Sequence, residues 1–184
     1  MLRPLLIGAG VLIGLGGLFF AWRIKGSILG SAVRQGSGGN LGDVVLTTNA
    51  GTPLPLADLQ GRVVLLVNTA SGCGYAPQYA ALETLHQRYG DRGLTVLALP
   101  TNDFLGQEPL SDADIAASCR LDHGVTFPLL RKGSVTEGIL ARVVADPALG
   151  GAIPWNFEKF LIDRDGRLRA RIAPRIDPSD PRCM

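Results

Sequence analysis

The sequence predicts an α/β fold in which a central mixed sheet is flanked by helices, with a transmembrane helix ahead of it. Three observations carry this prediction. Val63-Val64-Leu65-Leu66-Val67 and residues 94–99 are apolar runs rich in β-formers, the pattern of strands covered on both faces. Between them, Tyr79, Leu82, Leu85 and Tyr89 recur at helical spacing. Residues 5–22, from Leu5 to Trp22, carry no charge, and at the helical rise they span about 27 Å, close to a bilayer core.

The N-terminal segment, residues 1–25, has two readings. Arg3 before it, Arg23 and Lys25 after it, and Phe19, Phe20 and Trp22 as an interfacial belt describe an uncleaved membrane anchor. A cleaved secretory signal shares the basic start, but its apolar run is shorter, and Gly30-Ser31-Ala32 is only a weak cleavage site. An anchored protein is the expectation, in a bacterial inner membrane. The basic residues after the segment place the rest of the chain in the cytoplasm, whereas an uncleaved signal places it outside, and the sequence supports both. Residues 26–40, with Gly36-Ser37-Gly38-Gly39, read as a flexible linker.

The globular domain is expected over residues 41–184. Residues 44–48 and 54–56 are short strands joined through Asn49-Ala50-Gly51-Thr52. After the 63–67 strand comes Asn68-Thr69-Ala70-Ser71-Gly72-Cys73-Gly74-Tyr75-Ala76-Pro77-Gln78-Tyr79. Gly72 and Gly74 permit a sharp turn with close backbone approach, and Pro77 belongs in a first helical turn. Cys73 therefore stands at or just before a helix N-terminus, where partial positive charge and free N–H groups favour an anionic sulfur. A nucleophilic or redox cysteine is the sharper reading, and a small buried apolar residue the plainer one. Gly90 and Gly93 end the helix.

The loop 100–109 follows the second strand at its C-terminal end, the edge of an open α/β sheet where reactive groups gather. Ser111 with Asp114 is a capping pattern for a second helix, and Cys119 near its end reads by itself as a buried cysteine facing the sheet. Residues 125–130 are expected as an edge strand or strand start because of Pro128. A short helix follows at 140–144, then a strand at 160–162, a turn through Asp165-Gly166 and a strand at 168–172. The order strand–helix–strand–helix, then a hairpin, is the thioredoxin-like sandwich.

The formal net charge is +2, from 18 Lys and Arg against 16 Asp and Glu, which leaves no nucleic-acid footprint. His86 and His123 share no ligand spacing with the cysteines, so neither metal nor cofactor is expected, and His86 reads as a half-exposed helix residue.

Four segments in chain order resemble the glutathione peroxidase family. They are the Asn68 to Tyr79 run above, Gly106-Gln107-Glu108-Pro109, Gly124-Val125-Thr126-Phe127-Pro128, and Trp155-Asn156-Phe157-Glu158-Lys159-Phe160-Leu161-Ile162-Asp163. The resemblance runs from about residue 41 to residue 177. It implies a thioredoxin fold, a peroxide-reducing site and a catalytic tetrad of Cys73, Gln107, Trp155 and Asn156. The residue chemistry agrees: amide and indole N–H groups are uncharged donors able to stabilise a thiolate and a departing oxyanion. Oxidation of Cys73 by a hydroperoxide gives a sulfenic acid. The resemblance makes Cys119 the resolving cysteine of members recycled by thioredoxin, with direct reduction by glutathione as the other route. A membrane-tethered peroxide sensor or thiol–disulfide relay protein has the same layout. A Cys-x-x-Cys oxidoreductase does not fit, since Ala76 stands where the second cysteine belongs.

The chain also departs from the family. Leu99-Pro100-Thr101-Asn102-Asp103-Phe104 lacks the cysteine that relatives carry there, Ala76 replaces a common threonine, and the usual Asp-Val-Asn-Gly turn after Leu130 is absent. Relatives close one sheet face with a final helix. Here the sequence ends in Pro181-Arg182-Cys183-Met184, so that helix is expected to be missing and Cys183 to be a spare thiol.

Overall fold

A computed structural model describes residues 32–181. The expected membrane segment at Leu5 to Trp22 and the spare thiol Cys183 lie outside the described residues. Among the described residues, no helix is long and apolar enough to cross a membrane.

The central strand is β4, Val63–Thr69, preceded by β1 (Val33–Gln35), β2 (Val45–Thr47) and β3 (Pro53–Pro55). It continues through the Cys73 turn into α1, Gln78–Tyr89, then β5, Leu94–Pro100, and α2, Asp112–His123. The chain closes with α3 (Gly138–Val144), β6 (Lys159–Ile162) and β7 (Leu168–Ile172). The five-stranded sheet has the order β1-β7-β6-β4-β5, with β4 parallel to β5 and the other neighbours antiparallel. β2 and β3 pair as a separate hairpin. This is the thioredoxin-like sandwich that the element order predicts.

Period-two alternation along β4 explains why its run is apolar on every residue. Val64 and Leu66 face a core with Leu46, Leu56, Ile139, Leu140 and Val143, contributed by the hairpin side and α3. Leu65 and Val67 face a second core with Tyr79, Leu82 and Leu85 of α1 and Ile115 and Cys119 of α2. The α1 face keeps an apolar recess of about 390 Å³ bordered by Leu65, Leu85, Tyr89 and Leu161. After β7 the described chain runs through turns, with no α-helix among its described residues.

Three expectations change. Part of the stretch read as a 26–40 linker is in the sheet: Val33, Arg34 and Gln35 pair with Ile172, Arg171 and Ala170. Residues 125–130 make no strand, only single bridges from Leu129 to Ala98 and from Leu130 to Thr48. Pro128 has no N–H to extend a ladder. Pro77 is the residue before α1 rather than inside it, although its φ of −54° and ψ of −21° already have helical values.

Candidate active site

β4 ends in two polar residues, Asn68 and Thr69, both fully buried. Asn68 ties the strand to the segment that carries Trp155 and Asn156. Its side-chain Nδ2 donates to the Trp155 carbonyl at 3.2 Å, and its Oδ1 accepts from the Glu158 N–H at 3.0 Å. The Phe157 N–H donates to the Asn68 carbonyl at 2.6 Å. Phe157 adopts a φ of +68°, a costly conformation for a residue with a side chain, and its fully buried ring packs edge-on to Tyr79 at 5.3 Å.

The turn after Thr69 is fixed from the opposite side by the loop behind β5. The Gly72 N–H donates to the Gln107 carbonyl at 2.9 Å, and a Cβ on Gly72 would stand 2.9 Å from that same oxygen. Glycine is thus required at 72. Gly74, expected to serve the same purpose, has open space around it and no positive φ. The fully buried Glu108 carboxylate accepts from the Ser71 N–H at 2.7 Å and the Ser71 hydroxyl at 2.8 Å. Asn102 holds the loop itself, accepting from the Glu108 N–H at 2.8 Å.

Cys73 sits in this turn, nearly buried, as a free thiol, with the Tyr75 N–H directed at its sulfur at 3.5 Å. It does not occupy the first turn of α1. A run of turn hydrogen bonds, Cys73 N–H to Ala70 and Ala76 N–H to Cys73, separates it from the helix start.

The amides of the predicted tetrad meet. Asn156 Nδ2 donates to Gln107 Oε1 at 3.1 Å, and Asn156 Oδ1 accepts from the Thr101 hydroxyl at 3.1 Å. Trp155 is half-buried beside the Cys73 core and packs on Phe104 with ring centroids 5.6 Å apart. The structure therefore gathers the Cys73 turn, Gln107, Trp155 and Asn156 at the C-terminal ends of β4 and β5.

Cys119 belongs to the same core but to a different element, α2, and is also a free thiol. Burial pushes its titration up, opposed by the neighbouring Tyr79 hydroxyl and reinforced by the charges of Glu108 and Asp122. Burial likewise raises Tyr79 well above the phenol range, helped by Cys119. The Tyr79 and Thr69 hydroxyls lie here without a well-formed hydrogen bond.

Taken residue by residue, the sequence gives Asn68, Thr101 and Glu108 no role. Asn68 was detectable, because a polar residue closing an apolar strand must find buried partners. Glu108 and Thr101 gave no local signal, since their partners lie 37 and 55 residues away.

Comparison with known proteins identifies the family. The glutathione peroxidase family profile matches residues 42–141. The glutathione peroxidase-like peroxiredoxin HYR1 of Saccharomyces cerevisiae is 44% identical over 137 residues, covering 70% of this chain and 83% of its own. A hydroperoxy fatty acid reductase of Synechocystis sp. is 43% identical over 142 residues, covering 71% and 84%. Among solved structures, that of T. cruzi GPX1 superposes with a TM-score of 0.57 at 31% identity, covering 74% of this chain and 87% of that one. A secreted thiol-disulfide isomerase from Corynebacterium glutamicum, at TM-score 0.63 and 20% identity over 83% and 88%, shares the fold. With its buried cysteine turn, its amide pair and these relatives, the chain belongs to the glutathione peroxidase family and is a peroxidase.

Proposed function

We propose that Cys73 is the peroxidatic cysteine of a two-cysteine cycle. Its thiolate attacks one peroxide oxygen, an S–O bond forms, the O–O bond breaks, and the second oxygen leaves as hydroxide or alkoxide and takes a proton. The observation that carries this reading is the directed chain Thr101 hydroxyl to Asn156 Oδ1 and Asn156 Nδ2 to Gln107 Oε1. Because both amide oxygens are engaged, the Gln107 Nε2 donors are left for the sulfur or the departing oxygen. Trp155 adds its indole N–H. Such fixed, uncharged donors stabilise developing negative charge without reorganising.

In this proposal the Cys119 thiol then attacks the Cys73 sulfenic acid, releasing water and leaving a disulfide that thioredoxin reduces. A disulfide needs Cα atoms within about 7 Å and a matching side-chain geometry, and in this proposal α2 unwinds around Cys119 to present its sulfur to Cys73. Support comes from how lightly α2 is held, with only Ile115 and Cys119 buried among its 12 residues. Anchoring through residues 5–22 would keep the site near a bilayer, which favours lipid hydroperoxides.

The test is peptide mapping under non-reducing conditions. The full-length reduced protein takes one equivalent of hydrogen peroxide and is then offered thioredoxin with its reductase, or glutathione. A Cys73–Cys119 disulfide removed by thioredoxin, with repeated peroxide consumption that Cys73→Ser abolishes, is the expected result. Sulfenic or sulfinic Cys73 beside a free Cys119 overturns the two-cysteine route.

A further inference from the structure

Among the described residues, two that are not glycine have positive φ, Leu105 at +54° and Phe157 at +68°, and both border the site. Their circumstances are opposite. Phe157 is fully buried, and its packing offsets the strain. Leu105 is 83% exposed and buries almost nothing.

Leu105 is the first central residue of a tight turn closed by the Gln107 N–H donating to the Phe104 carbonyl at 3.2 Å, with Gly106 next at φ +65°. Two successive positive φ values define a turn that favours Asn, Asp or Gly at its first central position. A leucine there is locally unfavourable, and its water-exposed side chain gains no burial in return. Observed strain of this kind clusters where a site needs a particular side chain in a particular place.

The turn is also rigidly tied to the reacting groups. Phe104, on one side of Leu105, packs on Trp155, while Gln107, two residues on, accepts from Asn156 and holds the Gly72 N–H. Leu105 is therefore an exposed apolar tip on the turn between Phe104, which packs on half-buried Trp155, and Gln107.

We propose that Leu105 is a specificity-determining residue, an apolar lip that seats the hydrocarbon tail of an organic hydroperoxide while its –OOH group reaches Cys73. This rests on the reading of Cys73 as the attacking thiol. A long-chain hydroperoxide gains the contact, and hydrogen peroxide does not.

The experiment measures single-turnover oxidation of Cys73, quenched and read by mass, in the reduced full-length protein, so that no reductant enters. Linoleic acid hydroperoxide is compared with hydrogen peroxide for wild type, Leu105→Asn and Leu105→Met. Asn tolerates positive φ and removes the apolar tip, whereas Met keeps it. The ratio of the two second-order rate constants is expected to fall about fivefold in Leu105→Asn and to stay within about twofold in Leu105→Met. An unchanged ratio in Leu105→Asn, or an equal loss for both peroxides, overturns the lip. Failure of wild type to oxidise at Cys73 with either peroxide overturns the reading beneath it instead. A fall that extends to phosphatidylcholine hydroperoxide in vesicles assigns the tail to membrane lipid as well as to free acyl chains.

Discussion

The two buried cysteines occupy regions built on opposite principles. The Cys73 turn is held at several points: by its own N–H on the Ala70 carbonyl just past β4, by Gly72 against Gln107, and by Ser71 twice on Glu108. The helix around Cys119 is held at few points. It buries Ile115 and Cys119, one helical turn apart, whereas α1 buries five side chains over the same 12 residues. Leu121, two residues past Cys119, is 84% exposed. One region keeps its geometry because many interactions over-determine it, which suits the nucleophile proposed at Cys73. The other has few buried side chains to release, which suits the unwinding proposed around Cys119.

The strongest way to break this contrast is to loosen the rigid side. Glu108→Ala removes both acceptors of Ser71 from a fully buried position, leaving an N–H and a hydroxyl without partners. Unmade bonds of this kind cost about 3 kcal/mol together. Urea unfolding is expected to show that loss, and single-turnover oxidation of Cys73 is expected to slow as well. Glu108→Gln keeps one acceptor and falls between the two. If Glu108→Ala leaves stability and rate unaltered, the carboxylate does not organise the turn.

A smaller change sharpens the contrast from the mobile side. Ser111 caps α2 by accepting from the Asp114 N–H at 3.2 Å. Ser111→Ala removes a cap worth about 1 kcal/mol. Because the loss falls on α2 alone, its amides are expected to exchange about fivefold faster while those of α1 do not. Disulfide formation is expected to accelerate, with the first oxidation of Cys73 unaffected. A slower disulfide in Ser111→Ala would mean that the folded helix, not the unwound one, presents Cys119.

The same contrast governs what the sequence discloses. β4 is legible because its first five residues, Val63 to Val67, are apolar as a strand covered on both faces demands, and the Cys73 turn because glycine and proline punctuate it. β1 is hidden, since Val33, Arg34 and Gln35 are only three residues at a sheet edge inside a glycine-rich stretch. Residues 125–130 have strand composition, yet Pro128 limits them to isolated bridges. Trp155 and Asn156 look locally like a core aromatic and a turn residue. Only the resemblance marks them, because their role depends on Asn68, Thr101 and Gln107, distant in sequence. Glu108 stays invisible until the fold brings Ser71 to it.

The smallest expected effect lies at the seam where the two regions meet. Glu83 of α1 accepts from the Thr126 N–H at 2.8 Å and from its hydroxyl, clasping the chain just after α2. Burial works against the charged carboxylate, but these bonds and one from Gln87 outweigh it and hold Glu83 below its ordinary value near 4.5. A carboxyl depressed in the folded state contributes stability that is fully present above its unfolded value and is lost as pH falls through the folded one. The clasp therefore holds at neutral pH and weakens below about pH 4.5. At Asp146 and Asp163 burial again works against the charge and is outweighed, by the N–H groups of Gly39, Leu149 and Ala148 at Asp146 and by the Arg167 N–H, the Arg169 guanidinium and the Asp165 N–H at Asp163, so both are depressed and lose stability over the same acid limb in other parts of the fold. Glu83→Gln should thus flatten the fall in unfolding free energy between about pH 5 and pH 3 only in part. It should also raise exchange at the end of α2 at neutral pH, because an amide cannot accept at both positions. An acid limb identical to wild type would show that Glu83 is not a clasp between α1 and the chain that follows α2.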